Sequence, residues 1–130
     1  MKTFNELVIG LQHIGLPTSD VQKTIDFYTS LGFEIAWENQ KPAKERVAFL
    51  KKGSCVMETY YSETPAMTAG AVDHVALDVT DIEAAYEAAK ALGYAAIEGQ
   101  ITFLPFFANG VRYFTILGPS HEKVEFNQYL

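Results

Sequence analysis

Apolar residues recur along the chain with two periods, and the switches between them outline the elements. Residues 8–16 read as a strand; Pro17, Thr18, Ser19 and Asp20 then supply turn and N-cap chemistry, and Val21, Ile25, Tyr28 and Leu31 recur at helical spacing. Gly32 stands where a glycine ends a helix. Residues 33–38 alternate as a strand, 46–51 form another and, after the Lys52-Gly53 turn, 55–61 a third. The order β-α-β-β-β then returns. Residues 72–79 are the strand, Thr80 and Glu83 have the spacing of a capping box, and an Ala-rich helix runs to Gly93. Strands over 94–97, 110–117 and 123–129 complete the set. The links 39–45 and 98–109 are irregular, and the second carries Phe103, Leu104, Pro105, Phe106 and Phe107, an apolar loop of the kind that lines pockets.

The return is a repeat at residue level. LQHIGLPTSDVQKTIDFYTSLGF (11–33) aligns without a gap on VDHVALDVTDIEAAYEAAKALGY (72–94), with His13 falling on His74 and Asp20 on Asp81, 61 positions apart. The expected fold is α+β, two βαβββ modules (about 8–62 and 71–130) within one domain, 1–130. A single histidine in an apolar strand is most often a satisfied core or surface residue; its recurrence at the equivalent point of a second module reverses those odds.

Each module also ends in a strand with a carboxylate among apolar neighbours, Glu58 in CVMETY and Glu125 in KVEFN, 67 positions apart. Strand alternation sets Val56, Glu58 and Tyr60 on one face, and points Glu125 opposite to Val124 and Phe126. Imidazole nitrogen with carboxylate oxygen is a ligand set for a divalent first-row metal, and with Cys55 as the lone cysteine a thiolate site is excluded. His121, in a Gly-Pro-Ser-His turn, has no counterpart in module one and reads as a solvated turn residue. Arg112, Phe106 and Phe107 are the candidates for contact with a substrate, against the alternatives of an arginine paired with an acidic neighbour and of rings in the core.

Composition narrows the partners. A chain of 130 residues buries roughly two-thirds of its unfolded surface, enough for one compact domain. No run of about 18 apolar residues occurs, so a soluble protein without a membrane partner is expected. The N-terminus MKTFNELVIG shows no secretory signal pattern, and a lone cysteine suits a reducing compartment; a cytoplasmic location is the expectation. A net charge of −6 and only two arginines, Arg46 and Arg112, argue against nucleic acid.

His13 in QHIGL, the DFYTSLGF run, Glu58 in VMETYY, His74 in DHVALDV, Arg112 in VRYFTILGP and Glu125 in KVEF carry a resemblance over nearly the whole chain. The chain resembles the vicinal oxygen chelate superfamily, the glyoxalase–bleomycin resistance–dioxygenase family, and within it glyoxalase I (lactoylglutathione lyase) most. The resemblance implies modules curled into an open mixed-sheet barrel around one divalent ion (nickel, cobalt, zinc or manganese) held by His13, Glu58, His74 and Glu125. It implies a lyase or isomerase acting on an α-hydroxycarbonyl or thiohemiacetal by proton transfer through a metal-bound enediolate, with Glu125 as the base and Glu58 working on the opposite face. An epimerase and a non-enzymatic drug-binding protein are the alternatives. The resemblance also implies a homodimer whose sites lie between chains. Bacterial glyoxalase I carries an arginine four residues after the first histidine and an asparagine four after the first glutamate, both glutathione contacts. Here those positions are Pro17 and Ser62, which puts glutathione in doubt as the thiol.

Overall fold

A computed structural model describes all 130 residues, which form two compact units, Met1–Ser62 and Glu63–Leu130. Each unit is a βαβββ module with one four-stranded mixed sheet, the α+β class expected. Module one contains a short helix α1 (Phe4–Leu7), then β1 (Ile14–Thr18), α2 (Val21–Ser30), β2 (Glu34–Glu38), β3 (Val47–Lys52) and β4 (Cys55–Tyr61), with a single 3-10 turn at Ala43–Glu45. Its sheet order is β1-β4-β3-β2; β1 runs parallel to β4, and the other neighbours are antiparallel. Asp20 caps α2 by accepting the Lys23 backbone N–H at 3.0 Å. Val21, Ile25 and Tyr28 on α2 are buried, as are Ala48, Leu50 and Met57 on the strands against which the helix packs. Each large side chain so buried contributes about 1.5–3 kcal/mol.

Module two repeats the plan with β5 (His74–Asp78), α3 (Ile82–Ala91), β6 (Thr102–Leu104), β7 (Val111–Leu117) and β8 (Lys123–Tyr129), in the order β5-β8-β7-β6 with β5 parallel to β8. Asp81 caps α3 through the Ala84 N–H at 3.0 Å, matching Asp20 at the repeat offset; the cap is therefore Asp81 rather than Thr80. Phe114, Ile116, Val124 and Phe126 form the core, with the Phe114 and Phe126 rings stacked at 4.9 Å. Phe126 occupies the position that Thr59 holds in module one. The Thr59 hydroxyl is buried there without a hydrogen-bond partner.

Three boundaries differ from the sequence reading. The first strand begins at Ile14, not residue 8, because β4 offers a ladder only to Ile14–Thr18; the apolar residues Val8, Ile9 and Leu11 have no strand to pair with and are exposed. Pro17 lies within β1 rather than in a turn, tolerated because β1 is an edge strand that does not need every N–H. The second strand of module two is Thr102–Leu104, inside the segment expected to be irregular, and 94–97 is not a strand. Ile97 makes one bond to β7, its N–H reaching the Thr115 carbonyl at 2.7 Å, and the Glu98 carboxylate takes the Thr115 N–H at 2.8 Å. Those two contacts close the β7 edge beyond β6 without a ladder.

Candidate metal-binding pairs and the module-two cleft

Backbone register brings each histidine to its glutamate. Gly15 lies opposite Glu58 in the parallel β1·β4 ladder, and Ala76 lies opposite Glu125 in β5·β8. His13 and His74 stand two residues before Gly15 and Ala76, so their side chains share the glutamates' face. The result is the same in both modules: His13 Nε2 is 3.7 Å from Glu58 Oε1, and His74 Nε2 is 3.7 Å from Glu125 Oε1.

The other ring nitrogen is also held alike. His13 Nδ1 lies 2.9 Å from the Gln12 Oε1 carbonyl, and His74 Nδ1 lies 3.0 Å from Asp73 Oδ2. Both partners are acceptors, so the neutral ring carries its hydrogen on Nδ1 and turns the Nε2 lone pair toward the glutamate. At 3.7 Å, Nε2 and Oε1 are too far apart for a hydrogen bond. Two donors on one ion at about 2.1 Å each would stand roughly 3.0–3.4 Å apart, so closure by a few tenths of an ångström converts either pair into two adjacent ligands. The donor set thus fits a divalent first-row ion. Each module supplies a pair, and neither gathers a group of three or more His, Cys, Asp or Glu by itself.

Module two adds a cleft of about 440 Å³ at its pair, whose lining includes Phe106, Tyr113, Glu98 and Lys123 beside His74 and Glu125. Asn127, two residues along β8, donates from Nδ2 to Glu125 Oε2 at 3.0 Å, leaving Oε1 toward His74. Lys123 reaches Asp73 at 3.1 Å. Hydrogen bonds from His74, then from Lys123, hold the Asp73 carboxyl below the usual carboxylate range. Glu58 in module one receives no comparable hydrogen bond; its surroundings are the rings of Phe49, edge-on to His13 at 5.4 Å, and Trp37.

The remaining candidates divide. Phe106 lines the cleft, whereas Phe107 is 77% exposed, held at φ 60°, and edges against Tyr129. Arg112 does not line it: adjacent to Tyr113 on β7, it points to the opposite face and pairs with Glu83 of α3 at 2.9 Å. Arg46 is likewise bound to Gln22 and Glu38. His121 sits at φ 61° in its turn, with Nδ1 3.1 Å from the Met67 carbonyl. Burial pushes the Cys55 thiol up, which suits a packing role. Gln12, Asp73 and Asn127 went unnoticed in the sequence. The available signal was an acceptor immediately before each repeated histidine.

A duplicated βαβββ scaffold carrying matched His and Glu donors defines a glyoxalase-type class of protein, and the comparisons agree. Residues 10–126 match the Glyoxalase/Bleomycin resistance protein/Dioxygenase superfamily, and the chain belongs to it. The chain is 33% identical to the uncharacterized protein YwbC of Bacillus subtilis, over 91% of this chain and 96% of that protein. Among solved structures, the glyoxalase family protein from Enterococcus faecalis is similar at 26% identity and a TM-score of 0.77, covering 93% of this chain and 98% of that one. The fosfomycin resistance protein FosX from Listeria monocytogenes shares the fold at 17% identity and a TM-score of 0.73, over 95% of each chain. No helix is long and apolar enough to cross a membrane.

Proposed function

We propose that His13, Glu58, His74 and Glu125 together hold one divalent ion, whether nickel, cobalt, zinc or manganese, and that the protein is a glyoxalase I-like lyase or isomerase. Its substrate on this reading is an α-hydroxycarbonyl or thiohemiacetal, and its place of work the cytoplasm. The observation that carries the reading is the repetition of one arrangement: Nδ1 latched to the preceding side chain, Nε2 turned to a glutamate at 3.7 Å, in both modules. A bound divalent ion supplies charge stabilisation for the oxygens next to the carbon that loses its proton. Glu125 moves that proton. Asn127 fixes its Oε2, so the carboxylate presents one defined oxygen rather than rotating between two. Glu58, free of such a donor, works on the opposite face, and Phe106 and Tyr113 line the cleft beside Glu125. The pairs come together in a homodimer, those of one chain completing those of its partner.

Glu125→Gln tests the reaction. It keeps size and an oxygen donor but removes the base, so lactoylthiol formation from methylglyoxal and thiols should fall about 100- to 10,000-fold while metal uptake persists. Equal loss of both would make Glu125 a ligand only. Mixing His13→Ala with Glu125→Ala subunits tests the assembly: hybrid dimers with shared sites regain about one intact site, and no recovery despite subunit exchange assigns the sites to single chains. An epimerase would instead exchange substrate protons with deuterated solvent without forming a lactoylthiol. A metal-loaded protein that does neither, yet binds a small antibiotic tightly, belongs with the drug-binding members.

A further inference from the structure

The cleft of module two bears a charge pattern that the proton-transfer chemistry does not require. Its lining holds Asp73, Glu98 and Glu125 against a single cation, Lys123, and Lys123 is already paired with Asp73 at 3.1 Å. Both arginines of the chain are spent elsewhere, Arg112 on Glu83 and Arg46 on Glu38 and Gln22. On the matching face of module one the cation is Lys51, directly across the ladder from Glu34. Glu98 is the unbalanced group. It is half-buried, its Oε2 is fixed by the Thr115 N–H at 2.8 Å, and no cation or donor meets its Oε1. The carboxylate is thus anchored at one oxygen within the cleft lining.

Resting on the metal-site reading, we infer that this cleft selects substrates by charge: it accepts a compact substrate whose tail is cationic or a neutral hydrogen-bond donor, recognised by Glu98, and rejects carboxylate- or phosphate-bearing tails. A glutathione adduct, with its two carboxylates, falls in the rejected class. Glu98 is a specificity residue here and takes no part in the proton transfer.

The test uses zinc-loaded protein and three hydroxamates with one chelating head and tails of equal length ending in an ammonium, a hydroxyl or a carboxylate, with affinities read by calorimetry. The ammonium member should bind at least about tenfold tighter than the carboxylate member, with the hydroxyl member between. Glu98→Gln retains an acceptor for the Thr115 N–H and should shrink that ratio at least about fivefold, with the hydroxyl member changing least of the three. Glu87→Gln, an equal change of net charge on the exposed face of α3, should leave the ratio intact. A flat or reversed series, or a ratio indifferent to Glu98→Gln, overturns the inference and leaves the metal reading standing. Failure of all three hydroxamates to bind overturns the metal reading, and the inference with it.

Discussion

The two modules hold the same His–Glu pair in unlike surroundings. In module one the pair sits among Phe49, Trp37 and Tyr60; in module two the positions equivalent to Phe49 and Tyr60 are Thr115 and Asn127, and Lys123 stands where module one has Val56. The pair is nonetheless spaced at 3.7 Å in both. The pair geometry therefore comes from ladder register, which the repeat copies, and the neighbours are free to differ. Module two has the polar groups that orient a carboxylate and line a cleft, and module one has an aromatic wall.

The comparison breaks if the pairs are not equivalent in binding metal. His13→Ala and His74→Ala should each abolish near-stoichiometric uptake of nickel, cobalt, zinc or manganese in elemental analysis of tag-free protein, and uptake that survives the double change ends the metal reading. A smaller effect sharpens it. Asp73 and Gln12 hold equivalent ring nitrogens, but Asp73 is anionic and its bond to the ring is charge-assisted; Asp73→Asn should weaken metal affinity about 10- to 100-fold, and Gln12→Ala less, in competition with a chelator. The smallest effect lies behind the sheets, where Thr59 buries an orphaned hydroxyl and its counterpart Phe126 is apolar. Thr59→Val removes the hydroxyl at nearly constant volume and should raise stability by about 1 kcal/mol, read as a higher Tm. A loss of stability would mean the hydroxyl has a partner after all.

Much of this was legible in the chain. β4 and β8 begin and end where alternation put them, and caps and terminal glycines placed both helices to within a residue or so. The strand period placed each glutamate on the face opposite its buried neighbours, but the pairing of each histidine with its glutamate depends on the β1·β4 and β5·β8 register, which alternation within one strand does not carry. Less regular features escaped. β6 has only three residues and one neighbour, too short for alternation to register, and 94–97 looks strand-like yet makes a single bond. Val8–Leu11 shows that an apolar run becomes a strand only where a partner ladder exists. Arg112 was nominated by likeness rather than by parity: lying next to Tyr113, it has to face away from Glu125.

The latch on each histidine has a consequence for inheritance. The ring and the acceptor that sets its tautomer are consecutive residues, Gln12-His13 and Asp73-His74, at the entry to the strand that the helix follows. Duplicating that strand copies an already oriented ligand, with no second mutation elsewhere needed to aim it. The cleft residues Glu98, Phe106 and Tyr113 lie outside the 23 aligned residues and are free to diverge without disturbing it. On the proposed reading, a lineage built on this scaffold can change what it acts on while keeping the donors with which it acts.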